Sequence, residues 1–80
     1  MGGGVKVADE KVTNTIRRLR FEKSEMSQQS LADAVGVTRQ TINAIEAGKY
    51  LPSLGLAFRI SRVFGVSVEE VFQCKDEEKR

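Results

Sequence analysis

The chain contains no histidine and a single cysteine, Cys74. Without histidine it lacks the side chain that shuttles protons most readily near neutral pH, and one cysteine leaves no ligand cluster of the zinc-binding kind. A lone thiol closes no internal disulfide, which suits a reducing compartment. No apolar run approaches the ~20 residues that a bilayer-crossing helix needs, and the leading MGGGVKVADEK has no apolar stretch of the length a signal peptide requires. The expectation is a soluble, cytoplasmic protein with no membrane partner, cofactor, metal or evident small-molecule ligand. Strong charge of one sign is missing too: the net charge is +2, below what a purely electrostatic binder of nucleic acid carries.

What is present is enough for one small domain. With 80 residues, 40% of them hydrophobic, the chain can bury one modest core but cannot build a substrate cleft between domains. No acid, base and nucleophile converge in the pattern, so an enzyme is not expected. Charge is unevenly placed: Arg17, Arg18, Arg20, Arg39, Lys49, Arg59 and Arg62 lie centrally, while both ends are mixed in sign. Residues 1–11, with Gly2, Gly3 and Gly4 in a row, read as a flexible extension, residues 12–74 as the folded domain, and residues 75–80 as a charged tail. Cys74 at the domain edge reads as an inert thiol rather than a redox switch.

Five short helices follow from periodicity and end signals. The first is expected over residues 14–23, with Ile16 and Leu19 turned inward, Phe21 as a third inward candidate, and Ser24 near its end. Three later starts share one device, a polar cap preceded by an apolar residue able to staple onto the fifth position after it. Met26-Ser27 is matched with Leu31, Val37-Thr38 with Ile42, and Val66-Ser67 with Val71. Glu70, three residues after Ser67, completes a capping box, and Glu69 and Glu70 suit the positive end of the helix dipole. Gly36, Gly48 and Gly65 stand where the second, third and fourth helices should stop. The fourth helix, residues 54–64, carries Leu56, Ala57, Ile60, Val63 and Phe64 on one broad apolar face. The fifth, about residues 68–72, is too short to stand without packing.

Residues 28–47, QQSLADAVGVTRQTINAIEA, have the periodicity and turn chemistry of a helix-turn-helix. Ala32 is the small contact residue that two steeply crossing helices need, Gly36 the turn, and Ile42 and Ile45 the packing positions of the second helix. Its start, Thr38 as cap followed by Arg39 and Gln40, then falls where such a motif meets base edges in the major groove. Arginine can contact guanine with two donors and glutamine can pair with adenine. Asn43 lies one turn beyond Gln40.

These residues carry a family resemblance. Residues 16–72 resemble the Cro and lambda-repressor type of helix-turn-helix regulator, the XRE family, and most closely its small single-domain members. The signals are MSQQSLA, GVTRQTINAIEAGKY, PSL and FGVSVEEVF, within the run VTRQTINAIEAGKYLPSLGLAFRISRVFGVSVEEVF. The resemblance implies an all-α, five-helix lambda-repressor-like domain, with a short strand near Val12-Thr13 pairing with one at residues 72–74. It implies double-stranded DNA as partner, with Arg39, Gln40 and Thr41 reading the major groove and Asn43 and Ala44 contributing at its edge. Ala44, short where some members carry a longer side chain, would reach a thymine methyl. Gln28, Thr38, Lys49 and Tyr50 are implied as contacts to the DNA backbone. The other reading of Tyr50 is a ring covering the core beside Leu51, and of Lys49 a solvated charge. Arg20 and Glu46 resemble a pair that links the third helix to the first, against the reading of two ordinary surface charges. Many members carry glycine near Ser24-Glu25, and this chain looks one residue longer there.

One motif contacts too few base pairs to find a site alone, so a homodimer is expected, with Val68, Val71 and Phe72 offering its apolar surface. The leading expectation is a sequence-specific transcription regulator, a repressor acting by occlusion for want of a separate effector domain. The alternative is an antitoxin-type protein-interaction module with autoregulatory DNA binding, whose distinguishing feature would be a long partner-binding tail.

Overall fold

The computed structural model describes residues 11–75. The expected extension and charged tail therefore lie outside the described residues, apart from their innermost members, Lys11 and Lys75. The order is β1 (Lys11–Asn14), α1 (Ile16–Glu22), α2 (Gln28–Val35), α3 (Arg39–Glu46), α4 (Leu54–Phe64), α5 (Val68–Val71) and β2 (Phe72–Lys75). The two strands pair antiparallel, with Val12 opposite Cys74 and Asn14 opposite Phe72. Both ends of the domain are thus joined in one ladder.

Local chemistry sets each helix start. Ser27, Thr38, Ser53 and Ser67 hold extended backbone conformations, and each accepts a hydrogen bond from the amide three residues on. The Ser67–Glu70 capping box is complete in both directions. The staple residues Met26, Val37 and Val66 pack, partly buried, against the core that contains Leu31, Ile42 and Val71. That core also takes Ile16, Ala32, Val35, Ile45, Leu56 and Ile60, so every helix contributes to it. Helices this short are marginal alone and hold their shape through this shared burial.

The first helix departs from its expected bounds. Asn14 belongs to β1, because its side chain serves elsewhere: Oδ1 accepts from the Ile16 amide at 3.2 Å and Nδ2 donates to the Ile45 carbonyl at 3.0 Å. Thr15 follows, its amide donating to Val71 O at 2.9 Å and its hydroxyl to Glu70 O at 2.7 Å. Tertiary bonds have replaced the first turn of helix that periodicity suggests. Phe21 is 67% exposed, so its inward placement is corrected. Five residues beyond Ile16, it stands well round the helix from the buried stripe.

Three further expectations change. Val71 is fully buried in the core and leaves no apolar surface for a partner, while Val68 and Phe72 are half-buried. Phe72 opens β2 rather than closing α5, since its φ of −121° and ψ of 133° are extended. Tyr50 and Leu51 are 50% and 64% exposed, which removes the reading of Tyr50 as a cover over the core.

Between α1 and α2, Ser24 and Glu25 both take the left-handed backbone, with φ of 58° and 55°. This turn lets the Met26 amide return to Arg20 O at 2.8 Å. Gly36 takes the same region at φ 81° after α2, where a Cβ would meet nothing within 4 Å. The two turns therefore predict opposite signs on mutation. Ser24→Gly should stabilise by about 0.5–1 kcal/mol, since the left-handed strain of an L residue outweighs glycine's extra chain entropy. Gly36→Val should cost about 1–2 kcal/mol from backbone strain alone. Ala32→Val, in a fully buried position, should cost about 1–3 kcal/mol through overpacking. Urea denaturation midpoints check all three, and a loss of stability in Ser24→Gly would contradict the account of the turn.

Candidate nucleic-acid interface

The outer face of α3 is defined by what its inner face buries. Ile42 and Ile45 are in the core, which turns Arg39, Gln40 and Asn43 to solvent. Thr41 and Ala44 lie between the two faces and are half-buried. The Thr38 hydroxyl caps the helix by accepting from the Thr41 amide at 3.2 Å, and the two threonine hydroxyls are 3.0 Å apart. Both are thus already engaged in holding the first turn. Lys49 and Tyr50 are exposed in the segment that follows α3.

Beneath this face runs a connected set of polar side chains. Arg20 of α1 donates through Nε to Glu46 Oε2 at 2.6 Å and through a terminal nitrogen to Glu46 Oε1 at 3.1 Å. Its other terminal nitrogen donates to the Met26 carbonyl at 2.7 Å. With side chains only 15% and 10% exposed, this is a mostly desolvated bidentate pair and not two ordinary surface charges. Glu46 Oε1 also accepts from Gln28 Nε2 at 3.2 Å, and the same amide nitrogen lies 3.3 Å from Asn43 Oδ1. Gln28 Oε1 in turn accepts from Arg39 at 3.4 Å. The structure therefore brings Gln28, Arg39, Asn43, Glu46 and Arg20 into one network spanning α1, α2 and α3. Gln40, Lys49 and Tyr50 stand outside it.

Two supports were not foreseen in the sequence. Asn14 ties β1 to the C-terminal half of α3 through Ile45 O. Arg59 of α4 donates to Val35 O at 3.1 Å and so satisfies a carbonyl at the end of α2. Neither could be inferred from spacing, because each bond joins residues 24 or more positions apart. Every buried side-chain nitrogen or oxygen among the described residues has a partner. The α3 face is thus backed by hydrogen bonds from β1, α1 and α2.

Comparison with known proteins gives consistent matches. Residues 16–71 match the family model described as Helix-turn-helix. The chain is similar to an uncharacterized HTH-type transcriptional regulator of Methanocaldococcus jannaschii, 55% identical over 53 residues, covering 66% of this chain and 80% of that protein. It is 45% identical over 64 residues to another, YgzD of Bacillus subtilis, covering 80% and 96%. Control protein C.MunI of Mycoplasma sp is 34% identical over 65 residues, covering 81% and 88%. A solved crystal structure from Bacteroides fragilis shares the fold with a TM-score of 0.67 at 19% identity, covering 78% of this chain and 98% of that one.

The Arg20–Glu46 pair makes a stability prediction. Glu46→Gln removes one charge and leaves the guanidinium poorly compensated, at a cost between the surface and buried limits, about 2–3 kcal/mol. Arg20→Met combined with Glu46→Leu should recover part of that loss. A double-mutant cycle by chemical denaturation should return a coupling above about 1 kcal/mol. Simple additivity would show that the pair does not hold the helices together.

Proposed function

The chain belongs to the helix-turn-helix family, in its XRE-type branch, and we propose that it is a sequence-specific regulator of transcription that binds double-stranded DNA as a homodimer. The observation that carries this reading is the exposed row Arg39, Gln40 and Asn43 on α3, backed by Ile42 and Ile45 and braced by Gln28 from α2. Such a row can enter a major groove without disturbing the core. In this reading Arg39 donates two hydrogen bonds to a guanine, Gln40 pairs with an adenine, and Asn43 reaches the groove edge. Thr41 and the Ala44 methyl act at closer range, the latter against a thymine methyl. Gln28, Thr38, Lys49 and Tyr50 face phosphates. The regulator names of the relatives, and a control protein among them, support the assignment.

In this reading the protein acts as a repressor, by covering DNA that another protein needs. Two copies extend the contacted sequence to a length that can be selected among many nonspecific sites. For the surface between them we favour the outer side of α4 over the α5 end. Leu54 and Phe58, one turn apart and 69% and 45% exposed, stand on one face, with Leu51 just ahead at 64%. Together they offer an apolar patch on the order of 300 Å², enough for the centre of an interface of about 800 Å² per partner. Val71 offers nothing, and Val68 and Phe72 less than these three.

Selection of bound sites from random DNA should return a two-fold symmetric sequence. On that site Arg39→Ala should weaken binding by about 1–3 kcal/mol and relax one base pair per half-site, with a smaller effect on scrambled DNA. Equal loss on both would make Arg39 a phosphate contact. For assembly, Leu54→Lys should shift the protein to monomer in sedimentation at tens of micromolar while Val68→Lys leaves the dimer in place. The reverse pattern would move the interface to the α5 end.

A further inference from the structure

We propose that the DNA contact extends onto α1, where Arg17 grips a phosphodiester of the backbone from the wall of a polar cleft; this rests on the DNA-binding reading above. The cleft, about 430 Å³, opens between α1, α2 and α3 and is lined by Arg17, Gln28, Asn43 and Ala47 above the Arg20–Glu46 pair, with Asn14, its side chain committed to Ile45 O and the Ile16 amide, at its β1 edge. Its charge is settled by the bonds already made. Both Glu46 oxygens are occupied, by Arg20 and by Gln28, so that carboxylate is compensated. Arg17 is exposed and makes no hydrogen bond or ion pair with any described residue. The cleft therefore presents a guanidinium with no partner among the described residues and, beside it, the Asn43 Nδ2 donor, which the network leaves unused among those residues; a guanidinium with a nearby amide donor suits a phosphate with several acceptor oxygens.

Placement points to the DNA backbone as the source of that anion. Gln28 and Asn43 border the cleft and also belong to the network that holds Arg39 at the start of the reading helix. A phosphate flanking the groove that α3 enters would meet Arg17 on the α1 side, so three helices and not two would fix the angle of the reading helix. Arg18, the next residue on α1, is also exposed but does not line this cleft. It serves as the internal control.

The test is a salt titration of the full chain, as parent, Arg17→Ala, Arg17→Lys and Arg18→Ala, on the selected site and on a scrambled duplex. Arg17→Ala should weaken both DNAs by the same several-fold factor and reduce the magnitude of the log–log salt slope by about one unit. Arg17→Lys should keep the parent slope, because a point charge still releases the counterion. Arg18→Ala should match the parent. A parent slope retained in Arg17→Ala, or a loss equal to that of Arg18→Ala, overturns the assignment while leaving the DNA-binding reading intact. Absence of DNA binding by the parent overturns both.

Discussion

The bidentate pair between Arg20 and Glu46 is the constraint on which the working face depends. It joins the middle of α1 to the last residue of α3, and through the Met26 carbonyl it also holds the turn that delivers α2. A single guanidinium thus sets three backbone segments at fixed distances. Because both groups are largely removed from water, the pair has little tolerance for being half-made: either partner alone would be a charge with poor solvation. Its value lies in the geometry it imposes more than in net stability. Gln28 adds the step to the surface by sharing Glu46 Oε1 and reaching toward Arg39 and Asn43.

Around this clamp the fold is assembled from parts that are individually weak. Among the described residues no helix exceeds the eleven residues of α4, and α5 has only four, so propensity alone would leave them frayed. Side-chain caps give each start a defined residue, and shared burial supplies the stability. The order of tasks is clear in α3, where Thr38 and Thr41 fix the first turn, Ile42 and Ile45 fix its rotation, and the remaining positions face outward as a consequence.

Legibility followed the range of the forces. Caps, staples and stops act over a few residues, and the expected starts at Ser27, Thr38 and Ser67 coincide with those in the structure. The strand pair implied by family resemblance is present, with β1 one residue longer at each end and β2 one residue longer at its C-terminal end. Positions decided by competition between local and distant partners were misread. Asn14 left the helix because Ile45 O and the Ile16 amide claim its side chain. Phe21 and Val71 exchanged their expected environments, the first outward and the second inward, since periodicity in a seven-residue and a four-residue helix is too short to fix a rotation.

By itself, then, the sequence determined where α2, α3, α4 and α5 begin, which residues form the helix-turn-helix, and that Arg39, Gln40 and Asn43 lie on the polar side of its second helix. These are consequences of hydrogen bonds and packing within one or two turns, and the residue types suffice to specify them. Only the tertiary structure decided that Gln28 joins Arg39 to the Arg20–Glu46 pair, that Arg59 closes the end of α2, and that Arg17 stands beside α3 with no partner among the described residues. Those outcomes depend on how α1 and α4 are rotated against the motif, and rotation is set by the fit of the whole core, to which no single segment holds the key.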